Sequence, residues 1–431
     1  MYTKTVFQIL IVASLLASCS SKESQKVTAS AEYDTYLEVA ENKNITDATE
    51  IFNFWTSKLE KSPNQYPYHV KIASSHSQLF KATGEVSHLM EAARHLEIVN
   101  ERTNYKNAGY IRSLVRNYIS QHRFQESLVL LKKAEVLGEN LDATQKMLFD
   151  VHLELGNIAE AELYLNNFKN TNSFDALIRL SKWYDHEGKL MAAIKAMEKA
   201  KFKAEDANNS FLKQWSYTNL ADFYGHAGRI KDAYSHYLKA LELDPNDAYA
   251  KKGIAWIVFS HEKNPEEALR ILDTIMSQHK APDYYLLKAE IAEYMGNIAE
   301  KEKNINAFLT AIEDKDYGVM YSSYAVSVLS EELNDTEKAL KIAQQEVHLR
   351  PTAQSYDLLA WTYHLQGNSA KALEIIEKHV LNKTFEPVAM YHTAEILKAN
   401  GNTTTIKDIK AELLESSFEV GPILTEKIQR L

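Results

Sequence analysis

Along residues 108–416 small or apolar side chains recur at a nearly constant distance, and that period constrains the fold more than any other feature of the 431-residue chain. Val115, Phe149, Ser181, Ala221, Trp256, Ala289, Ser327, Ala360 and Ala394 are separated by 34, 32, 40, 35, 33, 38, 33 and 34 residues. Two further columns keep step with them. Gly156, Gly188, Gly228, Gly296, Gly367 and Gly401 hold a turn position in six of the nine units, so nearly half of the 13 glycines share one role, as positive-φ residues that end a helix. Ala161, Ala193, Ala233, Ala268, Ala339 and Ala372 mark where two helices cross, a position at which a larger side chain would hold them apart. A unit of this size cannot bury its apolar face alone, so neighbours must stack.

Composition agrees. With 13 Gly and 8 Pro, turn formers are about 5% of the chain against a usual 12% or so. Sandwiches, barrels and propellers need more. The 15 Phe, 24 Tyr and 5 Trp supply too much apolar area for a disordered chain. The unit that includes Leu220, Ala221, Tyr224, Gly228, Ala233, Tyr237, Ala240 and Pro245 resembles a tetratricopeptide repeat at each of those spacings. The resemblance implies an all-α, right-handed superhelical solenoid of helix pairs. Residues 31–107 keep helical apolar spacing without the glycine column and read as divergent helix pairs. Residues 108–416 form the array, and residues 417–431, with Ile423, Leu424, Ile428 and Leu431 at helical spacing, read as a terminal cap helix. The intervals of 40 and 38 place longer loops near residues 205–210 and 313–318.

The amino terminus reads as an address. Lys4 precedes an apolar run over residues 6–16 that is too short to span a bilayer. The tetrad Leu16-Ala17-Ser18-Cys19 resembles a bacterial lipobox. That resemblance makes residues 1–18 a lipoprotein signal peptide and the sole cysteine, Cys19, the lipidated first residue of the mature chain; an ordinary signal peptide with a chance cysteine is the alternative. Residues 19–30 are small and polar, as a flexible tether would be. The expectation is a bacterial cell-envelope protein held by its lipid alone, at the outer membrane on its periplasmic or surface face.

In the tetratricopeptide family the first helix of each pair lines a concave groove that takes peptides or partner helices. Carried over by column, the groove comprises Arg112, Arg116, His186, Asp222, His226, His261, Glu290, Tyr294, Tyr321, Tyr324, Asp357, Trp361 and Tyr391. Its carboxy-terminal half is acidic with interleaved aromatics, which suits a basic and partly apolar segment. The net charge of −9 disfavours a nucleic-acid partner. A membrane-anchored, non-catalytic scaffold for a protein or peptide partner of the envelope is therefore expected.

Catalytic signatures are missing: no H-E-x-x-H, G-x-S-x-G or G-x-x-x-x-G-K-[ST] pattern occurs. No cofactor and no metal site is expected. The alternative is an accessory protein for a metal or small ligand, because His186, His226 and His261 share one column and Asp222 stands four residues before His226. Stacked repeats, however, separate equivalent positions by about 10 Å, whereas ligands of one ion converge at about 2 Å.

Overall fold

The computed structural model describes residues 26–38, 41–402 and 404–431, which contain 23 α-helices and no strand. Cys19 and the expected signal peptide lie outside them. After a short α1 (Ser30–Leu37), three helices open the array: α2 (Lys43–Lys61), α3 (Pro67–Thr83) and α4 (Val86–Arg102). Nine antiparallel pairs follow. They are α5 (Ala108–Ser120) with α6 (Phe124–Leu137), α7 (Leu141–Glu154) with α8 (Ile158–Phe168), and α9 (Phe174–His186) with α10 (Leu190–Asp206). Next come α11 (Ser210–His226) with α12 (Ile230–Leu243), α13 (Ala248–Trp256) with α14 (Pro265–Met276), and α15 (Asp283–Tyr294) with α16 (Ile298–Ile312). The last are α17 (Ser322–Ser327) with α18 (Thr336–Leu349), α19 (Ala353–Leu365) with α20 (Ser369–His379), and α21 (Pro387–Ala399) with α22 (Ile406–Glu415). The chain is an all-α, right-handed superhelical solenoid. Side-chain caps begin many of these helices; Asn107, Asn209 and Asp247 accept from Tyr110, Leu212 and Ala250 amides, satisfying donors a helix leaves unpaired.

The turn inside every pair is left-handed, including the three without glycine. The six column glycines have φ between 68° and 80°, and His122, Lys263 and Asn334 take the vacant places at 59°, 56° and 53°. Two of these exceptions share a cause. Helix α13 continues as a π segment, Ile257–His261, and α17 as another, Val328–Glu332. Their amides reach back five residues, Glu262 N to Ile257 O and Leu333 N to Val328 O, both at 3.2 Å. Each π turn inserts one residue before the bend. The buried column therefore runs through Ala255 and Val326, both fully buried, rather than Trp256 and Ser327. With that correction its steps become 34, 32, 40, 34, 34, 37, 34 and 34 residues.

Other expectations also shift. The extra residues before Ala221 lengthen α10 and α11 to 17 residues each rather than forming a loop. Upstream, the glycine column is not lost: Gly84, at φ 70°, makes the turn between α3 and α4. The tether expected over residues 19–30 does not run to its end, because the Val27 and Thr28 amides bond Glu262 Oε1 at 2.7 and 2.6 Å. Helix α1 pairs with neither neighbour in sequence. It packs on α12 and α14, with Tyr33 donating to Glu267 at 2.6 Å.

Successive turns of the superhelix touch. Lys280 N donates to Thr83 O at 2.7 Å, Asn44 bonds Asp244, Gln125 bonds Leu349 O, and Arg350 pairs with Glu154 at 2.6 Å. Partners across this seam are 196 to 224 residues apart, about six repeats of 34 residues.

Candidate partner-binding cleft

The terminal helix α23 (Ser417–Gln429) packs on α21 and α22 of the last repeat, where Val420 and Ile428 meet Leu413, Met390 and Tyr391. It also reaches back along the concave side to α11, α15 and the π segment after α13, beyond what a cap on the last repeat alone would do. The cause lies in Gly421-Pro422. Gly421 takes φ 75° and ψ 175°, which kinks the helix, and Pro422 has no amide to give the Phe418 carbonyl four residues back. Trp256 Nε1 and Ser260 Oγ supply the missing donors, at 3.1 and 2.6 Å. The register shift of the π segment is what turns Trp256 toward this helix instead of the core. Beside the kink, Glu290 stands against Gly421. Burial and the nearby Glu293 raise the Glu290 carboxyl to about 8, with Lys263 and Lys427 opposing. A pocket of about 260 Å³ adjoins it, between α15, α16 and α23.

A larger cleft, about 1140 Å³, opens between the ends of α7, α9 and α11 on one superhelical turn and the start of α19 and the α20–α21 loop on the next. Arg350 closes its seam: Nη2 pairs with Glu154 Oε2 at 2.6 Å, and Lys182 reaches Oε1 at 2.8 Å. Burial would raise the Glu154 carboxyl, but these two cations hold it below the usual carboxylate range. Three other carboxylates of the cleft have no such partner. Asp185, Glu386 and Glu419 are each pushed up, first by burial, and Glu386 and Glu419 also by neighbouring acid groups. Water reaches Asp185 and Glu386 through the mouth of the cleft, while protein encloses them on most other sides. His226, whose Nδ1 lies 3.9 Å from Glu419 Oε2, opposes all three, and His186 and Lys182 also oppose the Asp185 charge. Aromatic surface flanks the acids: Tyr356 stacks on His379 at 3.7 Å, and Trp183 lies against His186.

Of the groove residues read from the sequence, His186 and His226 line this cleft. Arg112 does not face a free surface; it is buried and bonds Glu139 O and Thr144, joining two repeats. Asp357 and Trp361 are buried as well, which corrects their place on the groove wall. Asp357 pairs with His392 at 2.9 Å, and the Trp361 ring is stacked between His364 and His392 while its Nε1 donates to Glu331. Asp222 accepts from Tyr237 and Tyr249, and Tyr391 packs beside α23. Glu290 belongs to the smaller pocket, Tyr294 leans edge-on against Phe259, and Tyr321 sits among Phe308, Tyr317 and Tyr324. Arg116 and Tyr324 keep exposed side chains. The histidine column does not converge, since His261 is not in the cleft lining with His186 and His226.

Sequence reasoning missed Glu386 and Glu419, the one in an interhelix loop and the other in the cap helix. It also missed histidines on α3 and α4. Among the described residues one group offers three ligand atoms within 4.8 Å of one another: His76, Glu91 and His95. The available signal was His69/His76 and His88/His95, two pairs at a spacing of seven residues on consecutive helices.

The tetratricopeptide-repeat family model matches residues 226–291. No curated protein matches the chain. Among solved structures, a human IFIT1 dimer with PPP-AAAA is similar at 15% identity and TM-score 0.47, covering 77% of each chain. A tetratricopeptide repeat protein from Parabacteroides merdae is 18% identical with TM-score 0.33, over 60% of this chain and 97% of its own. Residues 226–291 match the tetratricopeptide-repeat family, and the same helix pair recurs on either side of them, so the fold is a repeat array of the tetratricopeptide type.

Proposed function

We propose that the protein is a lipid-anchored scaffold of the bacterial cell envelope, held by Cys19, that binds a basic segment of a partner protein in the cleft between its superhelical turns. It carries out no turnover of its own. The observation that carries this reading is the trio Asp185, Glu386 and Glu419, carboxylates gathered in one cleft, with His226 the group that opposes all three while the nearby Lys182 is paired with Glu154. A lysine or arginine side chain would relieve their mutual repulsion and gain charge-assisted hydrogen bonds. The stacked Tyr356–His379 pair offers a face to the aliphatic stem of such a side chain or to an apolar neighbour. The same excess of carboxylates repels a phosphate backbone, which argues for protein over nucleic acid.

The test is affinity purification from detergent-solubilised envelopes with wild type, Asp185→Asn/Glu386→Gln/Glu419→Gln and Cys19→Ala forms. A partner recovered by wild type and lost by the triple variant, with salt-sensitive binding, supports the cleft. A partner retained equally by the triple variant refutes it. Incorporation of labelled fatty acid into wild type but not into Cys19→Ala tests the anchor separately.

A further inference from the structure

Far from the cleft, α3 and α4 press two histidine-bearing faces together. Helix α3 contributes His69 and His76, and α4 contributes His88, Glu91 and His95, each set within two helical turns on one side. His69 Nδ1 faces His95 Nδ1 at 2.6 Å, and His76 Nδ1 faces His88 Nδ1 at 3.0 Å. The rings form one contiguous group, with His76 and His95 stacked at 6.0 Å between centroids. His76 and His95 are both buried. Four imidazoles do not assemble for apolar packing, because each brings a polar nitrogen that must find a partner. Here those partners are chiefly one another.

We propose that His76, Glu91 and His95 bind a divalent transition-metal ion, with His69 or His88 completing a four-coordinate shell. Imidazole nitrogens and one carboxylate oxygen suit zinc, cobalt or nickel rather than magnesium or calcium, which take oxygen ligands. The geometry is close to what such an ion needs. Ligands about 2.0–2.1 Å from a tetrahedral centre are about 3.4 Å from each other, and the three donor atoms already lie within 4.8 Å. Sub-ångström to ångström rotations of the side chains close the difference. One cation competes for the place. Arg94 donates to Glu91 Oε2 at 2.8 and 2.9 Å and lies 3.0 Å from His95 Nε2. Its side chain is 54% exposed, so it can swing into solvent when an ion arrives. The site would clamp α3 to α4 about two to three helical turns away from the Gly84 bend that joins them.

The test uses the full chain, stripped with chelator, and the bare ions. Calorimetric titration with zinc is expected to give one site per chain, and cobalt to give the intense visible absorption of a four-coordinate complex. His76→Gln and His95→Gln, which keep volume and hydrogen bonding, are expected to weaken zinc at least 100-fold. A His186→Gln/His226→Gln control should leave it unchanged, and Arg94→Gln should tighten it. Absence of the cobalt band in the wild-type chain overturns the proposal whether or not the variants fold. So does zinc binding that survives both glutamine substitutions at wild-type strength.

Discussion

Glu290→Gln isolates the charge that opposes docking of α23. In the docked state the Glu290 carboxyl keeps its proton up to about 8, because burial and Glu293 penalise its charge, whereas its ordinary value is 4.5. Between these two values the docked state binds more protons than a state with α23 released. Raising pH through that window therefore favours release, and below about 4.5 the docking energy is fully present. At about 1.4 kcal/mol per pH unit the ceiling is about 5 kcal/mol; Glu293, on the same helix, still raises the Glu290 carboxyl when α23 is released, which leaves about 2 kcal/mol for docking itself. That corresponds to about a 30-fold change in the local opening equilibrium. Hydrogen exchange of peptides from residues 417–429, corrected for intrinsic rates, reads it directly. Wild-type protection should fall as pH rises from 6 to 8.5, while the Gln variant, neutral throughout, should hold its protection. Parallel pH profiles for the two proteins would refute the reasoning.

Three other outcomes follow from the packing. Trp361→Ala removes a ring that is 7% exposed and stacked between two histidines, so denaturant titration should show a loss of about 3–5 kcal/mol; Tyr324→Ala, at a side chain 48% exposed, should cost less than about 1 kcal/mol. Gly156→Ala and Gly296→Ala impose the same left-handed strain, but only at Gly156 would a Cβ meet another turn, 2.8 Å from the Pro351 carbonyl oxygen. Thermal unfolding should therefore separate them by at least about 1 kcal/mol, and equal values would remove the seam contact from the account. Arg350→Ala leaves Glu154 with Lys182 alone; a loss of about 1–2 kcal/mol and a larger radius of gyration in solution scattering are expected.

The repeat was legible because it is enforced locally. A left-handed turn favours glycine and a helix crossing favours alanine, and both demands recur at each unit. Where another residue met the same demand, as at His122, Lys263 and Asn334, the column broke in the sequence while the geometry continued. The two π segments were illegible for a related reason. An inserted residue shifts burial by one position without altering composition, and Trp256 and Ser327 stood one place beyond their buried neighbours. The site was less legible than the fold. A groove transferred by column assumes that each first helix sees open space, whereas α23 occupies the middle of it and neighbouring repeats enclose Arg112, Asp357 and Trp361. Asp185, Glu386 and Glu419 come together only because one superhelical turn rests on the next, a relation no local pattern records.

That seam has a consequence for how the chain is made. Synthesised at about 5–20 residues per second, Glu154 waits on the order of 10–40 s before Arg350, 196 residues later, has left the ribosome. Val27 and Thr28 wait longer still for Glu262. Each early repeat thus emerges with its seam edge uncovered, and the array cannot mature as a simple additive string of neighbours. Deleting one repeat would move every later seam partner about 34 residues out of register, so the chain should tolerate changes within a repeat far better than changes in the number of repeats.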